Sequence, residues 1–335
     1  MTIENYRNKE HPFAQYVRIL GKGKKGSRSL SYEEAYQAFS SILKDEVEDV
    51  QLGAFLMLLR VKEESADEIA GFVQACKDYI DAPNTIAVDI DWSSYAGKRK
   101  QLPWFIASLL LLADSGKRIF MHAAKGHTIG RLYTEDAFTT LGLPIARSWQ
   151  DVTHHLDTQN LALMPVEHFC APLDKLLNMR NLLGLRSPVH TLSRLINPLE
   201  ADFSFQSIFH PAYGDTHQLA AAKVQQDNMV VFKGDGGEIE RKSNASCIVK
   251  GIADGVLFEE KWPRLQEGKD PGLEVLDMAL FTAVWRGDVK DEYGEGAIIS
   301  TLAVVLKLIN KLESQEQAMQ QAQEMWLQRN TKRFD

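Results

Sequence analysis

LSYEEAYQAFSSILKDEVEDVQLGAFLMLLRVKEESADEIAGFVQA, residues 30–75, carries two helix starts that can be read directly. Ser31 precedes Glu34 by three positions, and Ser65 precedes Glu68 by three. In this pattern a hydroxyl and a carboxylate each satisfy a backbone N–H left free at a helix N-terminus. Between them VEDVQLGAFLMLLRV, residues 47–61, is apolar enough to be a third, largely buried helix. Upstream, Phe13, Tyr16, Val17 and Leu20 recur at i, i+3, i+4 and i+7, the spacing of one helical face. The spacing predicts four helices over the first 80 residues, closed by Pro83.

Beyond Pro83 the texture changes. Short apolar runs at 85–90, 118–122, 161–164, 203–208, 229–233, 246–250 and 256–259 read as strands. Helical patterns stand at 102–113, 134–142, 172–183, 190–195 and 213–226. Three more helices, 273–286, 295–312 and 314–329, end the chain. Strands alternating with helices imply a mostly parallel sheet with helical cover. The expected fold is therefore α/β: a small all-helical domain and a larger α/β domain around a mostly parallel central sheet. A length of 335 residues has room for both.

Composition narrows the class. Hydrophobic residues at 44% and charged residues at 25% are those of a globular protein. No apolar run reaches the ~18 residues of a membrane span, and the longest, 105–113, fits a buried helix. The N-terminal residues have no apolar signal core. Cys76, Cys170 and Cys247 are far apart and show no CxxC pairing, which argues against a disulfide framework and for a cytoplasmic location. The net charge of −7 is unevenly distributed. Residues 1–30 hold seven basic and two acidic side chains, residues 31–94 four and 14, residues 95–131 seven and one. Two basic segments on an acidic body can hold a local positive field.

Those segments contain the candidate binding residues. Lys22, Lys24, Lys25 and Arg28 stand in GKGKKGSR, where glycines let cations meet phosphates in many geometries. Trp92 and Tyr95 precede Lys98, Arg99 and Lys100, with Trp104 following. Bases interleaved with aromatics are what a single-strand groove uses, cations along the backbone and rings under the bases. Lys125 and Arg131 follow a strand at the end where α/β sheets place ligands. Arg180, Arg186 and Arg194 share one segment and favour anion contact, and Lys233 and Arg241 flank a glycine-rich turn. His122 and His127 have no third ligand nearby, so no metal site is expected.

Several stretches together resemble the anthranilate phosphoribosyltransferase family: residues 30–75, MRNLLGLRSPVHTLSRLINPL at 179–199, and VVFKGDGGEIE at 230–240. The resemblance implies a helical domain of residues 1–80 completed by about 165–198, an α/β domain of 81–164 and 199–335, and a homodimer formed through the helical domains. It also implies a residual pocket at His122, Arg180 and Glu238. The family's GTGGDG phosphate loop is replaced by DIDWSSYAGKRKQLPW, residues 89–104, with one glycine and several bulky side chains. Its KHGN is Met121-His122-Ala123-Ala124 here, and its Asp-Glu pair is Glu238-Ile239. The altered stretches, SYAGKRKQLPW, MHAAKGHTIGRLYTE and KGDGGEIERK, resemble a divergent branch, the YbiB-type proteins. That resemblance implies nucleic-acid binding on a phosphoribosyltransferase-like scaffold without the ancestral reaction. With the basic and aromatic residues above, the expected partner is single-stranded DNA or RNA bound with little sequence preference, with no catalytic residue assigned and no cofactor. The alternative is a phosphoribosyltransferase using phosphoribosyl pyrophosphate and Mg²⁺.

Overall fold

The computed structural model describes residues 9–23, 25–124, 128–268 and 272–335. The chain begins with four helices: α1 (Ala14–Gly21), α2 (Tyr32–Leu43), α3 (Asp49–Lys62) and α4 (Ala66–Tyr79). Both expected capping boxes are formed, with Ser31 Oγ accepting from the Glu34 N–H and Ser65 Oγ from the Glu68 N–H. A parallel unit follows: β1 (Ile90–Ser94), α5 (Phe105–Asp114), β2 (Ile119–Ala123), α6 (Thr134–Thr140), α7 (Trp149–Gln159) and β3 (Leu161–Pro165). Three short helices come next, α8 (Ala171–Asn178), α9 (Arg180–Leu183) and α10 (Val189–Leu192). Then come β4 (Phe203–Ile208), α11 (Tyr213–Lys223), β5 (Met229–Lys233) and the hairpin β6 (Cys247–Ala253) and β7 (Val256–Trp262). The chain closes with α12 (Met278–Arg286), α13 (Glu292–Ile309) and α14 (Gln315–Leu327).

The sheet has seven strands in the order β3-β2-β1-β4-β5-β6-β7. The first five are parallel, and β6 and β7 run antiparallel at one edge. Along β5 successive side chains go to opposite faces, as strand geometry requires. Val230 and Phe232 join the core under α5 and α13, while Met229 and Val231 join a second core shared with α1–α4 and α8–α10. The helices of residues 166–196 thus pack with the first 80 residues rather than with their chain neighbours. Helix α5 is buried from Phe105 to Ala113, the fate expected of residues 105–113. Among the described residues no helix is long and apolar enough to cross a membrane, and the three cysteines are free.

Helix α7 stands where no helix is expected, α12 begins at Met278 rather than 273, and the first strand is displaced. The first strand is not 85–90 but Ile90–Ser94, where residues pair on both sides with β2 and β4. Polar Asp91, Ser93 and Ser94 hid it from a reading based on apolar runs. Ladder pairing and burial on both faces, not propensity, place it there.

Candidate anion-binding cleft

The parallel order reverses between β1 and β4, and their carboxyl ends open a crevice where α/β sheets hold ligands. Three loops meet there: residues 95–104 after β1, 209–212 after β4 and 234–241 after β5. The first and third are locked together. The Glu238 carboxylate is buried and accepts the Ala96 N–H (2.7 Å), the Gly97 N–H (2.6 Å) and the Ser94 hydroxyl (2.7 Å). Successive backbone N–H groups of this kind make an anion-binding nest; here the chain's own carboxylate fills it. Gly97 has φ +68° and a Cβ there would come within 3.2 Å of the Tyr133 ring, so a side chain would be both strained and crowded.

Lys98 is fully buried and ion-paired with Asp235 and Glu240. Glu240 also accepts the Phe105 N–H (2.9 Å) at the start of α5, and Lys242 pairs with Asp235 (3.1 Å). Burial works against the Lys98 ammonium, but the two carboxylates outweigh it and its pKa stands above the ordinary lysine value. Burial would also raise Asp235, yet Lys98 and Lys242 hold it below the ordinary value. Burial dominates at Glu240 and pushes it up to about 7. Arg131 Nη1 donates to the carbonyls of Ala96 (2.9 Å), Gly97 (2.9 Å) and Gly236 (3.2 Å), closing the same clamp.

Several sequence-based expectations are thereby corrected. Trp92 and Tyr95 are not stacking platforms. Trp92 lies in the core beside Phe105 and Phe205, and the buried Tyr95 hydroxyl bonds His122 Nδ1 at 2.6 Å. A central strand covered on both faces has no free surface to offer a base. Lys98 is structural, for the reason just given. Arg241 is buried as well. It donates to the Pro263 carbonyl (2.8 Å) and Cys247 Sγ (3.3 Å) and lies over the Trp262 ring. His122 is enclosed beside Asp91 (3.2 Å), Phe120 and Phe169, so it lines no accessible pocket. Glu238 is spent in the nest. Arg28 is exposed but held by both oxygens of Glu34, whose carboxyl that contact draws down to about 2. Lys24 and Lys125 lie outside the described residues, as does His127.

Lys22, Lys25, Arg99, Lys100 and Lys233 are exposed. Arg99, Lys100 and Lys233 sit at the carboxyl end of the sheet. Lys22 and Lys25 lie in the segment that Ser29 ties to the end of α3, through Lys62 Nζ at 2.9 Å.

The inner wall of the cleft is made of arginines. Burial, together with the charges of Arg194, Arg131 and Arg180, pushes Arg186 down to about 10. Among the described residues no carboxylate pairs with it. Arg180 reaches Thr128. Arg194 donates to the carbonyls of His190 (2.6 Å) and Gly237 (3.3 Å), and burial lowers its pKa although Glu238 opposes this. Beneath them is a cavity of about 130 Å³ between the helical layer and the sheet. Arg60, Glu64, Phe209 and Tyr213, which carry no motif in the sequence, line it. Phe209 had one legible signal, its place just after the carboxyl end of a parallel strand. Arg60 and Glu64 had none, because only tertiary packing brings the end of α3 to Tyr213 (Arg60 Nη1 to Tyr213 Oη, 3.1 Å).

A helical layer on a parallel sheet, with a ligand crevice at the switch point, defines a two-domain α/β class shared with known proteins. Residues 15–79 match the helical bundle domain of a glycosyl transferase family, and residues 106–328 match its a/b domain. The chain belongs to this family, and its fold is that of the anthranilate phosphoribosyltransferases. It is 30% identical over 206 residues to the uncharacterized protein YbiB of Escherichia coli (strain K12), covering 60% of this chain and 64% of that one. The chain thus spans somewhat less than two thirds of that relative's length. It is 25% identical over 238 residues to an anthranilate phosphoribosyltransferase of Ralstonia pickettii (strain 12J), covering 69% and 68%. The anthranilate phosphoribosyltransferase of Saccharomyces cerevisiae in complex with PRPP and Mg has the same fold. Its TM-score is 0.76 at 16% identity, over 94% of this chain and 93% of that one.

The residues present here do not fit a Mg²⁺–diphosphate group. Hard cations take free carboxylate oxygens. Glu238 already accepts three donors, and Asp235 and Glu240 are held by Lys98. Among the described residues no group of three His, Cys, Asp or Glu side chains could hold a metal ion.

Proposed function

We propose that this protein is a cytoplasmic, homodimeric binder of single-stranded nucleic acid, DNA or RNA, that holds the strand by its phosphates and does not transfer phosphoribosyl groups. One observation carries this reading: the half-buried Arg186 lies within the fields of Arg131, Arg180 and Arg194, with no carboxylate paired to it among the described residues. Like charges gathered in a partly dry cleft destabilise one another until an anion arrives. Exposed Arg99, Lys100 and Lys233 extend the positive rim along the same end of the sheet, so a polyanion fits better than a single phosphate. The half-exposed Phe209 ring replaces Trp92 and Tyr95 as the stacking surface.

The experiment is a titration of the purified protein with fluorescent oligo(dT) across a salt series. With about four phosphates neutralised, log K against log salt should fall with a slope near −3. Arg186→Ala, or Arg99→Ala with Lys100→Ala, should weaken binding and flatten that slope by roughly 0.7 for each phosphate no longer neutralised. Absence of binding at ~50 mM salt, or binding that ignores salt, would refute the proposal. Family membership and the position of Arg180 favour a competing reading, phosphoribosyl transfer to anthranilate. Turnover of anthranilate with phosphoribosyl pyrophosphate and Mg²⁺, at the rate of the named enzymes, would replace our reading with that one.

A further inference from the structure

The 130 Å³ cavity beneath the arginines has two chemically opposite ends. At one end Glu64 is 8% exposed, and its Oε2 is buried without a hydrogen-bond partner among the described residues. This end faces Arg60, whose Nη1 donates to the Tyr213 hydroxyl at 3.1 Å; burial raises the Glu64 carboxyl above its ordinary value, and Arg60 opposes this. Ser187 Oγ, also lining the cavity, is buried and equally without a partner among the described residues. At the other end stand Arg186 and Arg194, the latter bonded to Gly237. A ligand that only accepts hydrogen bonds would suit the arginines but leave Glu64 Oε2 unpartnered, and a cation alone would meet repulsion from the arginines. A planar ligand with an acceptor edge and a donor edge suits both, and the Phe209 and Tyr213 rings supply apolar walls. An enclosed cavity of about 150 Å³ holds benzene, so a larger base needs the open mouth as well. The present one has the exposed Phe209 and His210 at its mouth, so one base can enter with its sugar and phosphate left on the basic rim.

We infer that this cavity is a guanine-selective base pocket, resting on the nucleic-acid reading for its natural ligand. Guanine pairs a two-acceptor edge, O6 and N7, which one guanidinium, that of Arg194, can read while Arg186 keeps the phosphate, with N–H donors at N1 and N2 for a carboxylate. Adenine has no two-acceptor edge. Cytosine offers a carboxylate only its amino group, and thymine flanks a single N–H with two carbonyls. The pocket adds a preference at one position to an affinity otherwise set by the backbone.

The test is calorimetric binding of GMP and AMP to the full-length protein, alongside the oligo(dT) titration. The expected result is about tenfold tighter binding of GMP, and loss of that ratio in Glu64→Gln. Equal affinities in the wild type, or a ratio unchanged in Glu64→Gln, would overturn the inference. The ratio is insensitive to a variant that is only partly folded. GMP selectivity without oligo(dT) binding would keep the pocket and remove the nucleic-acid reading. Oligo(dT) binding without GMP selectivity would do the reverse.

Discussion

Lys98 shows how a side chain's type can mislead about its task. Among KRK, residues 98–100, its two neighbours face solvent while it is wholly enclosed between Asp235 and Glu240. Removing one partner of a buried ion pair leaves an uncompensated charge, so Lys98→Met should cost about 3–5 kcal/mol in urea unfolding. Arg99→Ala and Lys100→Ala should cost little. The same triad makes stability depend on pH. Glu240 carries a carboxyl raised from the ordinary range to about 7. The folded state therefore binds a proton that the unfolded state has already released. Its stabilising contribution is complete below the ordinary carboxylate range and is lost as pH rises through about 7. The melting temperature should fall between roughly pH 5 and 8, and Glu240→Gln should flatten that part of the profile. A wild-type profile that stays level, or rises, would contradict this assignment.

At the scale of elements, helix pairing in the N-terminal layer depends on close approach. Gly71 on α4 faces α2 so closely that a Cβ would come within 2.4 Å of the Tyr32 carbonyl oxygen and 2.9 Å of the Tyr36 nitrogen. Both are backbone atoms and cannot turn aside. Gly71→Ala should therefore destabilise the protein by about 1–3 kcal/mol despite alanine's better helix propensity, as denaturant unfolding would reveal. An increase in stability would mean that α2 and α4 can slide apart. The clamp between the loops after β1 and β5 is likewise a property of elements. Glu238 and Arg131 work only because parallel strands bring both loops to one end of the sheet.

The whole molecule presents a surface that the proposed homodimer would cover. On α3, Val50, Ala54 and Val61 are exposed and Met57 is half-buried, at spacings of four, three and four that keep them on one face. A row of apolar side chains on the outer side of the helical layer suits packing against a second copy. Light scattering should give twice the 37.7 kDa chain mass. Val50→Glu with Val61→Glu should shift the protein to monomer. A wild-type monomer at micromolar concentration would remove the proposal. A dimer would also set two clefts in one particle, so that a long oligonucleotide bridging them would bind more tightly than a short one.

The helical domain was legible in the order of residues, because capping boxes and i, i+3, i+4 periodicity act within a turn or two of the chain. Ser31–Glu34 and Ser65–Glu68 formed as read, and the strand–helix alternation of the larger domain announced a mostly parallel sheet. The family resemblance likewise located the altered loops at 89–104 and 230–240. What those loops do was decided only by tertiary structure. A cation written beside a tryptophan reads the same whether it faces a phosphate or a carboxylate far away in the chain. Lys98 meets Glu240 across 142 positions, and Ala96 meets Glu238 across the same distance. Burial and long-range pairing, which no local spacing encodes, sent Trp92, Tyr95, Lys98 and Arg241 inward. They left the cleft to Arg186, Arg194, Glu64 and Phe209.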